Sequence, residues 1–354
     1  MADTMNSMQR TLTALSQKEP DRVPLFLLTN LHGAKELGLS IQAYYSRAEN
    51  VAEGQMRLLK KYRSDCLYAF FYAAIEIEAW GGTTIFLPDG PPLCGSPVIA
   101  RHDDIDHFWK PAVMETACLL KVLETIRLLK RHVGDTVPIV GVAISPFSLP
   151  IMQMGFDRYI ELIYEQPERF QRLMAINTAF TIEWANAQLA AGATAICYFD
   201  PLSSTTNIPR DLYLKTGFRV AKQTLSQIKG PTATHMASGR CLPILADIAE
   251  TGTAVVGVSA WEDMGTLKAA ANKRVSLLGN LNGIEMRRWT AKQAETEVKR
   301  VIARAGQGGG LILSDNHGEI PWQVPDDVLL AIGDAVEHWG RYPLEWIANE
   351  VDRP

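Results

Sequence analysis

The sequence predicts an α/β fold, a single (β/α)8 (TIM) barrel, and three observations carry that expectation. Eight short apolar runs punctuate the chain. Amphipathic stretches of helical period lie between most of them. The 354 residues suit eight strand–helix units in one domain, 1–354, with an N-terminal helical extension before Pro24. An open doubly wound sheet is the alternative that the same alternation allows.

The first run, VPLFLL (23–28), is followed by a helical pattern over 42–62 and by a second run, DCLYAFF (65–71). A helical stretch over 112–133 leads into PIVGVAI (138–144). The pattern over 167–192 opens on Pro167, carries apolar residues at helical spacing and closes on Gly192, the arrangement expected of a helix with both ends marked. TAICYFD (194–200) follows, then a helix over 210–228, PTATHM (231–236) and a helix over 240–252. AVVGVSA (254–260) and VSLLGN (275–280) come next, and a helix over 291–306 precedes GLILSD (310–315). Each run is short, rich in Val, Ile, Leu or aromatic residues, and bounded by Gly, Pro, Asp or Asn. Such runs read as strands buried on both faces, and alternation with helices implies a parallel sheet.

Composition narrows the function. Hydrophobic residues make up 47% and charged residues 21%, as in an ordinary globular protein rather than a disordered or fibrous one. Lys plus Arg is 35 against 39 for Asp plus Glu, a net charge of −4. That balance argues against nucleic acid, whose phosphates call for a basic face. No apolar run approaches the ~18 residues of a membrane span, and the N-terminus lacks the core of a secretory signal, so a cytoplasmic setting with no membrane partner is expected. The five cysteines, Cys66, Cys94, Cys118, Cys197 and Cys241, are widely spaced and form no CxxC pair, which suggests neither a disulfide framework nor a zinc ribbon.

The common catalytic signatures GxxxxGK[ST], HExxH and GxSxG are absent. GQGGGLIL (306–313) has its glycines before a strand rather than after one, so it reads as a helix-to-strand turn. RLLKRH (127–132) reads as a solvated helix face, and HGE at 317–319 lacks the PCxxC that a deaminase requires. In IEIEAWGG, Glu76 and Glu78 sit among apolar residues, either as a salt-bridged structural pair or as buried carboxyls with raised pKa.

Chemistry in such a barrel gathers where the strands end. That rule selects Thr29, Asn30 and His32 after the first run, then Ser145, Asp200 and His235. It goes on to Trp261 with Glu262, Asn280 with Asn282, and Asp315 with His317. Some of these are expected only to satisfy loop backbone groups.

Six segments, in order along nearly the whole chain, resemble the uroporphyrinogen decarboxylase superfamily. They are DRVPLF (21–26), EIEAWGGTTIFLPDGPP (76–92), the stretch 141–174 that opens GVAISPF, AQLAAGATAICYFDPLSS (187–204), GNLNG (279–283) and the stretch 308–332 that contains SDNHGEIP. The resemblance implies a (β/α)8 barrel and one of two chemistries. Porphyrinogen decarboxylases of that superfamily carry an Arg-rich loop after the first strand. Here the loop reads LTNLHGAKELG (28–38), with no arginine to pair with substrate carboxylates. The other branch moves methyl groups between a small substrate and the cobalt of a separate corrinoid protein, some members using zinc held by an HxC pair and a distant cysteine. The chain has His235-Met236-Ala237 at the first position and His317 at the second, so both thiolates are missing.

What the resemblance implies for this chain is a corrinoid-dependent methyltransferase, the demethylase component, with a small methylated substrate, most simply a methoxy compound. His235 and His317 are its candidate catalytic residues, expected to face one another across the barrel mouth. They act either as ligands of zinc together with a carboxylate such as Glu262, Glu78 or Asp315, or without metal as acid/base groups. Asn30, His32, Glu78, Asp200, Trp261 and Asn280 are the expected pocket residues. A corrinoid protein is the expected partner, and a homodimer is left open. The alternatives are a decarboxylase-like lyase acting on a small acid or porphyrinogen, and a non-catalytic barrel that has lost the zinc thiolates.

Overall fold

The computed structural model describes residues 4–315 and 318–348. Eight parallel strands form one sheet: β1 (Leu25–Phe26), β2 (Leu67–Tyr68), β3 (Ile139–Ile144), β4 (Ala195–Phe199), β5 (Thr232–His235), β6 (Val255–Gly257), β7 (Ser276–Leu278) and β8 (Leu311–Ser314). Each lies inside one of the eight apolar runs. The spatial order β1-β8-β7-β6-β5-β4-β3-β2 follows the chain around, with β1 and β2 at the two ends. Asp65, just before β2, joins those ends. Its backbone N–H donates to the Leu25 carbonyl at 2.7 Å and its carboxylate accepts the Leu25 N–H at 2.9 Å. The sheet thus curls into a single (β/α)8 barrel wrapped by helices.

The helix over Pro167–Ala191 has proline in its first turn and Gly192 in the left-handed region at its end, as the sequence predicts. Three other helical stretches are interrupted. The pattern over 42–62 splits into Ile41–Ser46 and Ala48–Tyr62, with Arg47 extended between them. The Ser46 hydroxyl and the Asn50 amide both donate to the Ala43 carbonyl and satisfy the first helix's end. The stretch 210–228 breaks at Thr216, whose hydroxyl donates back to the Leu212 carbonyl at 2.6 Å. The stretch 240–252 yields only a 3-10 turn, Leu242–Ile244, and a short helix, Leu245–Ala249. Pro243 lies in that turn and cannot donate a backbone bond. An antiparallel hairpin, Thr84–Ile85 with Leu93–Cys94, adds an element outside the eight units.

The N-terminal helix Ser7–Leu15 opens on a capping box between Asn6 and Gln9. It crosses the end of the barrel where the strands begin. Its Met8 N–H donates to the Thr136 carbonyl at 2.9 Å, and the Gly310 N–H donates to the Ala14 carbonyl at 3.0 Å. The glycine run before β8 is the predicted turn. At Gly309 (φ +72°) a Cβ would fall 2.2 Å from the Lys18 carbonyl oxygen, so only glycine lets the extension pass this close.

A buried ion cluster sits at the same end. Arg10 Nη1 and Arg22 Nη1 each lie 2.6 Å from an Asp65 carboxylate oxygen, and Arg10 Nε lies 2.7 Å from Asp21. Burial pushes the Asp21 carboxyl up, but Arg10 and two backbone N–H groups outweigh it and hold it at about 2. No helix among the described residues is long and apolar enough to cross a membrane.

Candidate active site at the barrel mouth

A cavity of about 720 Å3 opens where the strands end, a size suited to a small organic molecule. The two-residue period of a strand builds its wall, since alternate side chains face inward. Tyr68 and Phe70 follow this rule at the end of β2, and Cys197 and Phe199 at the end of β4. Tyr72 completes an aromatic wall, and Pro91, Pro92, Leu93 and Cys94 of the hairpin segment form a lid. The polar lining comprises His235 at the end of β5, Ser314 and Asp315 at the end of β8, and Glu319 in the following loop. No arginine or lysine lines the cavity among the described residues.

Of the residues expected from sequence, His235 and Asp315 line this cavity. The others that the structure describes support it from behind or lie elsewhere. The Asn30 amide donates to the Phe70 carbonyl at 2.9 Å, steadying the end of β2. Glu78 accepts from the hydroxyls of Tyr72 and Thr84, tying the aromatic wall to the hairpin. His32 is buried with Nε2 at 3.1 Å from the Pro321 carbonyl, and burial, reinforced by Lys35, lowers its pKa to about 4. Asp200 is buried and accepts from the hydroxyls of Ser145 and Ser148; burial pushes its carboxyl up. The Asn280 amide donates to the carbonyls of Ser259 (2.9 Å) and Glu262 (3.0 Å). The Glu262 carboxylate caps the backbone N–H groups of Cys241 and Leu242, and Trp261 is 65% exposed, away from the cavity lining. His317 lies outside the described residues. All five cysteines are free thiols.

Ser314, Glu319 and the aromatic wall are absent from the residues selected by sequence. The alternation of Tyr68 with Phe70 and of Cys197 with Phe199 is the signal that finds the wall. Glu319 lies in the cavity wall with one carboxyl oxygen accepting the Leu31 N–H at 2.9 Å. Burial pushes its pKa up to about 8, with Asp315 adding to the effect, so near neutrality it is largely the protonated acid.

Glu76 resolves the question raised by the paired glutamates. It is fully buried, accepts the Ile144 N–H at 3.0 Å, and burial raises it to about 8. Its ordinary value is 4.5, so between about 4.5 and 8 the folded protein holds a proton that the unfolded chain has lost. The stabilisation is complete below about 4.5 and gone above about 8. The expected outcome is unfolding free energy that falls as pH rises through this window, with Glu319 contributing in the same sense. Glu76→Gln should flatten part of the slope and raise stability near pH 8. Denaturant titrations at several pH values check this, and an unchanged slope in the variant would contradict it.

The zinc expectation can be tested against the donors. Among the described residues no three His, Cys, Asp or Glu side chains gather in a metal-binding arrangement. Glu262 is committed to backbone capping, and Nδ1 of His235 is taken by the Ala237 N–H at 3.0 Å. Without His317, which lies outside the described residues, these donors assemble no zinc site.

The family model described as uroporphyrinogen decarboxylase (URO-D) matches residues 6–339. The chain belongs to this family. A uroporphyrinogen decarboxylase of Alkalilimnicola ehrlichii is 27% identical over 92% of this chain and 93% of its own length. One from Coxiella burnetii is 25% identical over 93% and 94%. Among solved structures, a methyltransferase from Methanosarcina mazei superposes with a TM-score of 0.85 at 20% identity, covering 94% of this chain and 99% of that one. A B12-independent methionine synthase from Shewanella reaches 0.54 at 14% identity, over 82% and 88%. These superpositions show the fold. Within the URO-D family, this member's cavity presents acids and aromatic rings and no described cation to a ligand.

Proposed function

We propose that this protein is the methyltransferase component of a corrinoid-dependent demethylase. In this reading it moves the methyl group of a small methoxy substrate to the cobalt of a separate corrinoid protein. The observation that carries the reading is the cavity lining: aromatic and aliphatic walls, two carboxyl groups, one imidazole and no described Arg or Lys. A substrate rich in carboxylates would be desolvated there without a partner, at a cost of several kcal/mol per ion. A neutral aryl or alkyl methyl ether meets no such penalty and buries its apolar body against Phe70, Phe199 and Tyr72.

The bond between methyl carbon and ether oxygen breaks, its electron pair stays on the oxygen, and the carbon is taken by the reduced cobalt of the partner. The oxygen then needs a proton, and the Glu319 carboxyl is a source at neutral pH. The partner docks over the barrel mouth, because in-line displacement requires the cobalt close to the methyl group.

Mixing the protein with reduced corrinoid and candidate methoxy, methylamine and methylthiol donors, and following the cobalt spectrum, tests the reading. Methylation of cobalt by a methoxy donor is the expected result. If no donor methylates cobalt and methylcorrinoid donates to no acceptor, the reading is wrong. Decarboxylation, for which the curated relatives are named, predicts instead carbon dioxide release from uroporphyrinogen.

A further inference from the structure

We infer that the barrel holds a second binding site, below the mouth cavity, which takes a compact nonpolar molecule with no hydrogen-bonding group, such as a dissolved gas or a short hydrocarbon. This site is independent of methyl transfer.

The interior of a (β/α)8 barrel is ordinarily filled by bulky Val, Ile and Leu side chains. On β4 and β5 the inward positions carry small residues instead. Ala195 and Cys197 share the inward face of β4 with Phe199, and Ala233 shares that of β5 with His235. Cys197 and Ala233 are paired across the two strands, and Val255 of β6 is paired with Ala233. The neighbouring side chains do not take up the space that these residues leave. A cavity of about 80 Å3 remains, walled by Val140, Val255 and Ile312 and capped by Met8, Leu12 and Leu15 of the N-terminal helix. Tyr68 and Cys197 line this cavity and the mouth cavity alike, so the two adjoin within the barrel.

The lining selects the ligand. No charged side chain belongs to it among the described residues. The Thr11 hydroxyl donates to the Ser7 carbonyl at 2.8 Å, and the Thr194 hydroxyl accepts the Ile139 N–H at 3.1 Å. The backbone at the strand starts is paired as well: the N–H groups of Thr194, Ile196 and Ala254 donate to the carbonyls of Ile139, Pro231 and Thr232. A buried water needs two to four polar partners, and an apolar cavity that offers none stays dry and accepts molecules such as xenon or benzene. Benzene occupies an engineered cavity of about 150 Å3. The smaller space here suits a smaller molecule, whose dispersion contacts with the walls replace no contacts made before. Access runs past the N-terminal helix, where Leu12 is 52% exposed and Pro231 and Ala254 of the lining also reach the surface.

The test is methyl NMR of the full-length protein labelled at alanine and isoleucine methyl groups, titrated with xenon, with cyclopropane and with acetamide as a polar counterpart. The signals of Ala233, Ala195 and Ile151 are identified by their loss in Ala233→Gly, Ala195→Gly and Ile151→Val. Ile151 belongs to the mouth cavity alone. Saturable shifts at Ala233 and Ala195 with xenon and cyclopropane, and none with acetamide, are expected. Ala233→Leu fills the space, so in that variant the Ala195 response should vanish while the rest of the methyl spectrum stays native. Ala233→Val, a smaller change, should weaken the response severalfold. Absence of a response at Ala233 overturns the inference, as does a response confined to Ile151. An equal response to acetamide, or magnetisation transfer from a long-lived water to the Ala233 methyl, overturns the apolar assignment. An undiminished Ala195 response in folded Ala233→Leu places the ligand elsewhere and overturns the site. If neither filling variant folds, the wild-type titrations still decide. Failure of the cobalt assay refutes the methyl-transfer reading and leaves this site standing.

Discussion

Replacing Asp65 by alanine is expected to destabilise the protein by about 3–5 kcal/mol, the cost of removing one partner from a buried ion pair. The Asp65 carboxylate is 1% exposed and accepts from Arg10, Arg22, the Ser7 hydroxyl and the Leu25 N–H. Its removal leaves Arg22, itself only 4% exposed, with a large part of its compensation gone. It also strips the seam between β1 and β2 of a bond. Arg10 keeps Asp21, and Arg22 keeps Glu337 at 2.9 Å, so the loss is large without being total. A loss of this size is a substantial fraction of the ~5–15 kcal/mol that holds a typical domain together. Urea unfolding of the two proteins measures it. A difference below about 1 kcal/mol, the range of an exposed pair, would show that the cluster does not hold the barrel end as described.

Glu319→Gln is expected to lower methyl transfer from an unactivated methyl ether by about 10²–10⁴-fold, the usual contribution of a positioned general acid. Gln keeps the shape and an acceptor for the Leu31 N–H but cannot release a proton. The loss should shrink for donors whose leaving oxygen is already stable as an anion, since these need less protonation. The wild-type rate should fall as pH rises past about 8, where the Glu319 carboxyl ionises, and the variant should lack this limb. Rates across a series of substituted aryl methyl ethers measure both effects. An equal loss for every donor, or none, would assign Glu319 a structural role.

The barrel was legible because its signals are local. A run such as PIVGVAI is strand-forming in itself, and all six residues of β3 are buried, as a strand covered on both faces requires. Pro167 and Gly192 mark the ends of their helix by their own backbone preferences. The breaks at Arg47 and Thr216 were not legible, because they depend on side chains of Ser46, Asn50 and Thr216 competing for carbonyl groups.

The site divides the same way. The sequence by itself determined that polar groups collect at the strand ends, that the loop after β1 carries no arginine, and that His235 ends a strand. Only the tertiary structure decided which of those groups face the cavity. Asp200, Asn280 and Glu262 lie beyond the ends of their strands at Phe199, Leu278 and Gly257, and they turn to hydroxyls and backbone groups of neighbouring loops. Inside a strand the two-residue alternation fixes direction, so Phe199 and His235 point inward. Beyond the strand end alternation no longer decides by itself: Phe70 and Asp315 still face the cavity, whereas Asp200 turns to hydroxyls that the adjacent loop offers. Those partners are brought by distant segments, Ser145 lying 55 residues from Asp200 and Cys241 lying 21 from Glu262.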